Sequence, residues 1–570
     1  MNHPIKYILS ILTFLTVAAT AQNPGTMLHK VMEEQMHKSM GALRLPSNPD
    51  PFFIGLNIVD QNRLSIHSSL GSTIKAYETR SRTSQNLQVL TGNNKISNLD
   101  GRIMAQSLYR TSFPVGDCAD EIRRKLWLSF DRAYRMSASQ YSTRQSAMQN
   151  TNLGEWADVP DFLAGTPVQV DEPVAELTYD LEELTRYANA ISATMKDYPR
   201  LTLSWVRLTG TKANIYYSNT EGSKASYPST LLRLVVNAET LTPEGESIEL
   251  YNTYHVLSEQ DLPPLDQVIR ETREMVNTLY TMRDAPRFED IYNGPVLFEG
   301  PAAGEVVRKT MFYANHENLF ASRALPTRTG LPGSAGTKIQ AESRLDTRIA
   351  PEGMTVQATP GRKEYDGVAL AGSYPVDMEG TIPPDKVVLI GNGMLKSLLS
   401  SRIPTLKVKE SNGHLRVTAV SGTPMITPGV IEVDYRDAVP KEELRKQLLG
   451  RAKADGLKYA VIVREMTSNL SELRRIYLVD VETGKETMVR SVSFSTLTLN
   501  DLRKIVGAGD QKQVLNTTAG QDTNHRFDYM SGCPASFITP DAFLFKDLEI
   551  TKSTKTTTAK PPVVGNPLEL

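Results

Sequence analysis

Two carboxylates in this sequence, Asp377 and Glu379, lie two residues apart. On an extended segment, residues at this spacing point to the same face. The two carboxyl groups could therefore act together as a general acid and a general base. Gly380 follows directly, and Pro383 and Pro384 then break any regular element.

Histidines offer few places for a metal ion in this sequence. His316 precedes Glu317, but positions 320 and 321 are Phe320 and Ala321. Neither H-E-x-x-H nor H-E-x-x-x-H is therefore present there, and a surface histidine in a loop is the favoured interpretation of His316. Four other histidines stand singly and are more typical of structural residues than of ligands: His67, His255, His414 and His525. No nucleophile elbow, Walker loop or dinucleotide fingerprint occurs in a supporting strand–helix context.

The sequence contains two cysteines, Cys118 and Cys533. Two are too few for a disulfide framework, and they cannot form a cysteine-rich zinc site. They could pair with each other, but two unrelated, semi-buried thiols are the favoured prediction.

Length and composition indicate a globular protein with more than one domain. The chain has 570 residues, which exceeds the size at which a single core stops growing. Hydrophobic residues make up 40% and charged residues 22%, which is ordinary. With 63 basic and 64 acidic residues the formal net charge is −1, so nothing indicates a nucleic-acid partner or an anionic membrane surface.

The first 21 residues have the pattern of a signal peptide. Lys6 precedes an apolar run from Tyr7 to Ala18, and Ala19-Thr20-Ala21 fits the small-x-small cleavage rule. The run is shorter than the roughly 20 residues that a membrane helix needs. We therefore predict cleavage after Ala21 and an exported protein, periplasmic or secreted, with no membrane span in the mature chain.

Residues 22–285 are predicted to form an N-terminal domain in which a mixed sheet packs with helices. Short apolar runs between Pro51 and Gly92 alternate with turn residues, which indicates antiparallel strands. Further strands between 201 and 256 are predicted to form a second sheet segment. Helices are predicted from an N-cap at Asp117, over Asp180–Asp197, and from a cap at Ser258 to the stop at Asp284-Ala285-Pro286.

Residues 286–550 are predicted to form a mainly antiparallel β domain, which gives an α+β fold in two domains. The run from Lys386 to Ile390, rich in β-branched residues, leads into Gly391-Asn392-Gly393, which predicts a hairpin. One helix is predicted between Pro440 and Gly456. The Gly- and Pro-rich segment Arg323–Gly353 is predicted to be a mobile loop or lid and the first internal site of limited proteolysis. The last residues, 551–570, are predicted to be a disordered tail.

The second half of the chain resembles a known family in several ordered blocks. They are G-S-Y-x-V-D-x-E-G at 372–380, I-x-N-G-x-L-K at 390–396, S-N-G-H at 411–414, G-P-V-L at 294–297, P-A-A-G at 301–304, and closing strands over 489–509 and 533–550. Together they resemble the C-terminal domain of the TldD/PmbA metallopeptidase family. The resemblance also implies that the block around Asp377 and Glu379 is a structural turn rather than a catalytic pair.

The resemblance implies that the metal site of this family is missing from the chain. Active members carry H-E-x-x-x-H on a helix, with two histidines for zinc and a glutamate as base. Continuing from Gly294 without a gap places Arg308, Lys309 and Tyr313 on those positions. A guanidinium offers no lone pair, and two adjacent cations repel a divalent metal. Cys533 lies a few residues beyond the family's additional cysteine ligand, so that role is not transferred to it.

The sequence P-A-A-G at 301–304 is more similar to the PmbA type of the family, whose members lack the zinc ligands. The resemblance therefore implies a non-catalytic subunit, without cofactor, that completes a peptide-processing chamber with a TldD-like zinc-bearing homologue or with a second copy of itself. The surface from Val296 to Tyr313 and the hairpin at Gly391–Gly393 would then face the partner or the chamber. Arg308 and Lys309 could also be solvated helix residues of no consequence. The alternatives for the whole chain are a stand-alone exported peptide-binding protein, or an active metallopeptidase with non-standard ligands.

Overall fold

The structure is a computed structural model that describes residues 24–99, 108–149, 154–312, 318–321, 341–417, 424–466, 473–494, 497–520 and 532–553. Several sequence predictions fall outside these ranges: the signal peptide, Tyr313, His316, Glu317, His525, residues 323–340 of the predicted lid and the chain after 553. Throughout the described ranges, helices combine with mostly antiparallel sheets, and the predicted α+β class is confirmed.

The first half of the chain is built on one long, twisted sheet. Its strands are β1 (Pro51–Ser69), β2 (Ser72–Thr91), β3 (Leu108–Phe113), β4 (Gln169–Asp171), β5 (Leu201–Asn219), β6 (Lys224–Leu241) and β7 (Ser247–Val256). The strand order is β3-β2-β1-β5-β6-β4, and β7 pairs with β6 beside β4. Because β1 pairs with β5, the two sheet segments predicted from the sequence form a single sheet.

Four helices cover one face of this sheet: α1 (Pro24–Ala42), α2 (Ala119–Met148), α3 (Leu181–Ala193) and α4 (Leu265–Asp284). Alternate side chains of a strand point to opposite faces, and β1 follows this rule. Its even-numbered apolar residues pack under the helices: Ile54, Leu56, Ile58, Leu64 and Ile66. Its odd-numbered residues Asn57, Val59 and Gln61 point to the other face, toward the second half of the chain.

In its described residues, the second half of the chain contains two larger sheets and two helices. Its strands are β8 (Ile291–Glu299), β9 (Met354–Ala358), β10 (Glu364–Tyr365), β11 (Val368–Ala369), β12 (Val387–Gly391), β13 (Met394–Leu395), β14 (Leu415–Val417), β15 (Pro424–Ile426), β16 (Val430–Tyr435), β17 (Tyr459–Met466), β18 (Leu473–Asp480), β19 (Glu486–Val489), β20 (Val492–Phe494), β21 (Ile505–Ala508), β22 (Lys512–Ala519), β23 (Cys533–Pro540) and β24 (Ala542–Lys552). The helices are α5 (Pro301–Phe312) and α6 (Lys441–Ala454).

The two larger sheets enclose a shared apolar core. One has the order β13-β12-β9-β16-β23-β22, and the other has the order β19-β18-β17-β8-β24-β20, with β21 also paired to β24. The core between them includes Phe298, whose ring lies 5.3 Å from that of Phe545 and 6.3 Å from that of Phe494. Helix α5 follows β8 and packs against β17, β22 and β23.

Several local predictions need correction. The helix α2 begins after Cys118 rather than Asp117. Ser258 caps a short 3-10 turn, Glu259–Asp261, and α4 begins only at Leu265 after Pro264. The last strand continues through Thr551 and Lys552, so the predicted tail does not start at 551. The boundary at 285/286 stays a prediction.

The prediction of a mobile loop or lid is wrong for residues 341–353. Residues 341–353 are described, and Glu342, Ile349 and Ala350 are buried. The Glu342 carboxylate accepts hydrogen bonds from the Thr405 hydroxyl (2.8 Å) and the Lys407 backbone N–H (2.6 Å). This part of the segment is therefore fixed to the core.

None of the helices in the described ranges is both long enough and apolar enough to traverse a bilayer.

Candidate functional site

Helix α5 is the element on which the family resemblance places the lost metal ligands. Gly300 has φ +57°, and Pro301 occupies the first helical position, where its missing N–H costs nothing. Almost every residue of α5 is buried, which is typical of a helix inside a core. A Cβ on Gly304 would lie 3.0 Å from Leu515 Cδ2, so the glycine allows α5 to approach β22 closely.

Arg308 and Lys309 lie in the interior of the protein and are paired with a carboxylate. They are 5% and 2% exposed. Nη2 of Arg308 lies 2.9 Å from Glu305 Oε2, and Nζ of Lys309 lies 3.7 Å from the same oxygen. Burial by itself raises the pKa of Glu305, but the charges of Arg308 and Lys309 outweigh it and hold the pKa below its usual value. The helix positions expected to hold ligands therefore hold an internal ion cluster.

Two expectations about this helix are wrong. Arg308 and Lys309 are not solvated, and the surface from Val296 to Phe312 does not face outward, because Val296 and most of α5 are buried within the chain. Gly393 of the hairpin is also packed inward, since a Cβ there would lie 2.5 Å from the Ala350 and Pro351 carbonyl oxygens. Tyr313 lies outside the described residues.

The charged turn of α5 lies close to the N-terminal sheet. Burial, followed by the charges of Arg233 on β6 and Arg308 on α5, lowers the pKa of His255 on β7 to about 3. His255 is therefore neutral at physiological pH. The cluster on α5 thus lies at the junction between the two halves of the chain.

The other predicted candidates do not converge on a metal site. His67 packs edge-on against Trp205, with the ring centroids 6.2 Å apart, and His414 lies beside Tyr374. Cys118 is exposed and Cys533 is buried, and both are free thiols. Among the residues that the structure describes, no three or more His, Cys, Asp or Glu side chains form a group able to hold a metal ion. Zinc therefore does not fit the residues described here.

Asp377 and Glu379 form a buried turn. Asp377 Oδ1 accepts hydrogen bonds from the backbone N–H groups of Glu379 and Thr381, each at 2.9 Å, and Oδ2 accepts from that of Leu415 at 3.3 Å. Gly380, with φ +77°, completes the turn, and a Cβ there would lie 2.8 Å from the ring of Tyr217. These contacts match the structural alternative, because the oxygens of Asp377 are committed to the backbone.

Arg402 connects this turn to the N-terminal half. Its Nη2 donates to Glu221 Oε1 at 2.7 Å, and its Nε donates to the Leu163 carbonyl at 2.9 Å. Its Nη1 donates to the Glu379 carbonyl at 3.2 Å, while its own backbone N–H donates to Glu379 Oε2 at 2.7 Å. The guanidinium also lies 4.2 Å from the centroid of the Phe162 ring, within the range of a cation–π contact. No local pattern in the sequence indicates this role of Arg402, because its partners are distant in the chain.

The two carboxyl groups of the turn are easier to protonate than usual. Burial raises the pKa of both, and the charge of Asp377 raises that of Glu379 further. Glu379 Oε1 is also buried without a hydrogen-bond partner in the described part of the chain. A protonated Glu379 fits this environment better than an ionised one.

Stability is therefore expected to fall as pH rises from about 5 to 8, because the folded state binds more protons than the unfolded state over this window. Each unit of pKa elevation corresponds to about 1.4 kcal/mol. Glu379→Gln keeps an acceptor for Arg402 and removes the titration, so its free energy of unfolding should vary less with pH. Urea unfolding at a series of pH values tests this, with exposed Glu442→Gln as control. A variant profile parallel to that of the wild type would contradict it.

A cavity lies between the N-terminal sheet and the turn region, with a volume of about 100 Å³. Its floor is the face of the sheet opposite the helices, where strand pairing aligns Val59 with Ile215 and Ile215 with Tyr227. Its other wall includes Tyr374, Asp377 and Arg416. Burial raises the pKa of both tyrosines, so their phenols are neutral at physiological pH. The cavity combines aromatic walls with one cation, and the sequence analysis did not predict it.

Comparison with known proteins gives one family and several structures. Residues 293–552 match the PmbA/TldA metallopeptidase C-terminal domain. No curated protein sequence matches the chain.

Among solved structures, TldE from Thermococcus kodakarensis is similar to this chain with 11% identity and a TM-score of 0.57, covering 91% of this chain and 100% of its own. A candidate modulator of a DNA gyrase from Thermotoga maritima gives 13% identity, a TM-score of 0.55, and coverage of 92% and 100%. Another candidate modulator of DNA gyrase, from Bacteroides thetaiotaomicron, is 10% identical with a TM-score of 0.54, and the match covers 92% of this chain and 98% of the other.

At these identities the structural likeness shows the fold. The match over residues 293–552 agrees with the sequence blocks between Gly294 and Ile550. Residues 293–552 of this chain therefore form a domain of the PmbA/TldA metallopeptidase C-terminal type.

Proposed function

We propose that this chain is an exported, non-hydrolytic member of the TldD/PmbA family that binds peptides and works together with a zinc-bearing homologue. The observation that carries the proposal is the internal ion cluster of Glu305, Arg308 and Lys309 on α5. The family resemblance places two cations on the helix positions where an active member would carry ligands, and both pair with the carboxylate of Glu305.

Packing explains why such a helix is kept without its ligands. Helix α5 fills the core between β8, β17, β22 and β23, and its loss would expose those sheets. A core helix of this kind is required for folding whatever chemistry it carries. The fold of a peptidase family is therefore compatible with a chain that only binds.

A stand-alone exported peptide-binding protein is the second candidate, and one observation favours it. The surface from Val296 to Phe312, which a partner was expected to contact, is buried within this chain. An active metallopeptidase with non-standard ligands has less support, because the described residues contain no suitable ligand group.

The purified mature chain, beginning at Gln22, is expected to bind no stoichiometric zinc and to hydrolyse no peptide alone. A divalent ion would have to displace the paired cations of α5 from the interior. Elemental analysis and a peptide-hydrolysis assay test this, and a homologue with an intact H-E-x-x-x-H serves as the positive control. About one zinc per chain, the content of a catalytic site, would contradict the proposal.

Co-expression with such a homologue from the same genome separates the two candidates. Co-purification, with higher peptidase activity of the pair than of the homologue alone, is the result expected for the paired function. A homologue that is fully active alone and never co-purifies would favour the stand-alone binding protein.

A further inference from the structure

The cavity between the two halves of the chain contains an arginine with unused hydrogen-bonding capacity. Nη1 of Arg416 donates to the carbonyl groups of Pro428 (2.9 Å) and Pro534 (2.6 Å), and the guanidinium lies 4.5 Å from the centroid of the Tyr374 ring. Within the described ranges, Arg416 has no ion pair, and its Nε and Nη2 have no hydrogen-bond partner. These two nitrogens are also not completely buried. The guanidinium is therefore anchored on one side and available on the other.

The floor of the cavity holds a second unsatisfied group. Asn57 of β1 lines the cavity and is 5% exposed. Its carboxamide Oδ1 is buried and has no hydrogen-bond partner among the described residues. A buried polar atom without a partner is costly, so a ligand that donates a hydrogen bond to it would recover that free energy.

The remaining lining limits the chemistry of the ligand. Val59, Ile215, Leu231, Val376 and Met378 add apolar surface. Asp377 also lines the cavity, but its oxygens accept backbone N–H groups and are not available to a ligand. Among the described lining residues, the site thus offers one cation, on Arg416, and one buried acceptor without a partner, on Asn57, beside an apolar wall. Hydroxyl and amide side chains complete the lining: Gln61, Thr211, Ser229, Ser373 and Thr518.

We propose that this cavity binds the C-terminal end of a peptide, with the terminal carboxylate on Arg416 and the adjacent backbone N–H donating to Asn57 Oδ1. The inference rests on the proposed peptide-binding function and names the part of the peptide that is recognised. A guanidinium pairs well with a carboxylate. The apolar lining and the volume of about 100 Å³ favour a small apolar last residue.

A phosphate group fits the cavity less well than a carboxylate. Its second negative charge would need more donors than the single guanidinium of Arg416 in the described lining. The end of a peptide instead supplies both an acceptor for Arg416 and a donor for Asn57. A free amino acid also carries both groups, so the experiment must distinguish the two sources.

Isothermal titration calorimetry on the full mature chain tests the proposal. The ligands are tripeptides ending in Ala, Val or Leu, each as the free acid and as the C-terminal amide, with free alanine as a third probe. The acid form is expected to bind at least tenfold more tightly than the amide. Arg416→Gln should remove this difference, while Arg436→Gln, a change at an exposed arginine, should keep it.

Asn57→Asp provides a nearly isosteric second variant in case Arg416→Gln does not fold. Its carboxylate would compete for the guanidinium, so binding of the acid should weaken at least tenfold while binding of the amide changes little. Equal binding of acid and amide would overturn the carboxylate assignment and leave the peptide-binding function standing. Alanine binding as tightly as the tripeptides would overturn the peptide assignment. Absence of binding by every probe would overturn both this inference and the peptide-binding part of the proposed function.

Discussion

Replacing Arg402 by methionine is expected to lower the free energy of unfolding by about 3–5 kcal/mol, the cost of breaking a buried ion pair from one side. Arg402 is 2% exposed and hydrogen-bonds Glu221, Leu163 and Glu379. Methionine can fill part of the space against Phe162 but offers no donor. The carboxylate of Glu221, now without its cation, would be left near the junction of the two halves.

Urea unfolding followed by circular dichroism measures this effect. Arg436→Met is the matched control, because Arg436 is exposed, and its replacement should change stability by no more than about 0.5 kcal/mol. Glu221→Gln in the Arg402→Met background should recover part of the loss, since the two residues are in contact. A loss below 1 kcal/mol for Arg402→Met, within the range of exposed pairs, would show that Arg402 does not hold the two halves together.

Replacing Glu305 by glutamine is expected to destabilise the protein by a similar amount, about 3–5 kcal/mol at neutral pH, because it leaves two buried cations without their shared carboxylate. The side chain of Glu305 is 16% exposed, and those of Arg308 and Lys309 are more deeply buried. The same change at exposed Glu443, which pairs with Lys446 on α6, should cost about 0.5 kcal/mol or less.

The effect of Glu305→Gln should also depend on pH in a defined direction. The pKa of Glu305 is lower in the folded protein than in the unfolded chain. Its contribution is therefore present above the unfolded pKa and is lost as pH falls through the folded pKa. Urea unfolding should show the wild type and the variant converging in acid. A constant difference at all pH values would indicate that the loss comes from packing rather than charge.

The sequence by itself determined several local elements in both halves of the chain. The β-branched run 386–390 and Gly391-Asn392-Gly393 predicted the hairpin of β12 and β13, which the structure confirms. The predicted helices at 180–197 and 440–456 are also present. These predictions succeed because turn residues and side-chain periodicity act within a few residues of each other. The ordered blocks of residues likewise predicted the domain type that residues 293–552 match.

Polar residues inside long strands show what local patterns could not predict. The sequence Asp60-Gln61-Asn62 looks like a break between two short strands, yet β1 runs through it, and these side chains are buried. Asp60 Oδ2 lies 2.9 Å from Arg82 Nη2 on β2, which compensates the buried charge. The pairing that makes this strand possible comes from a residue 22 positions away.

The candidate sites depended on tertiary structure even more strongly. A lysine or arginine on a helix is normally expected to be solvated. Only the packing of α5 among four strands places Arg308 and Lys309 in the interior beside Glu305. The partners Arg402 and Glu221 are 181 residues apart in sequence. The cavity forms only where the odd-numbered face of β1 meets the wall that contains Arg416. Sequence periodicity specifies which face of an element is apolar, whereas the partner of a buried charge is decided by which distant elements pack against that face.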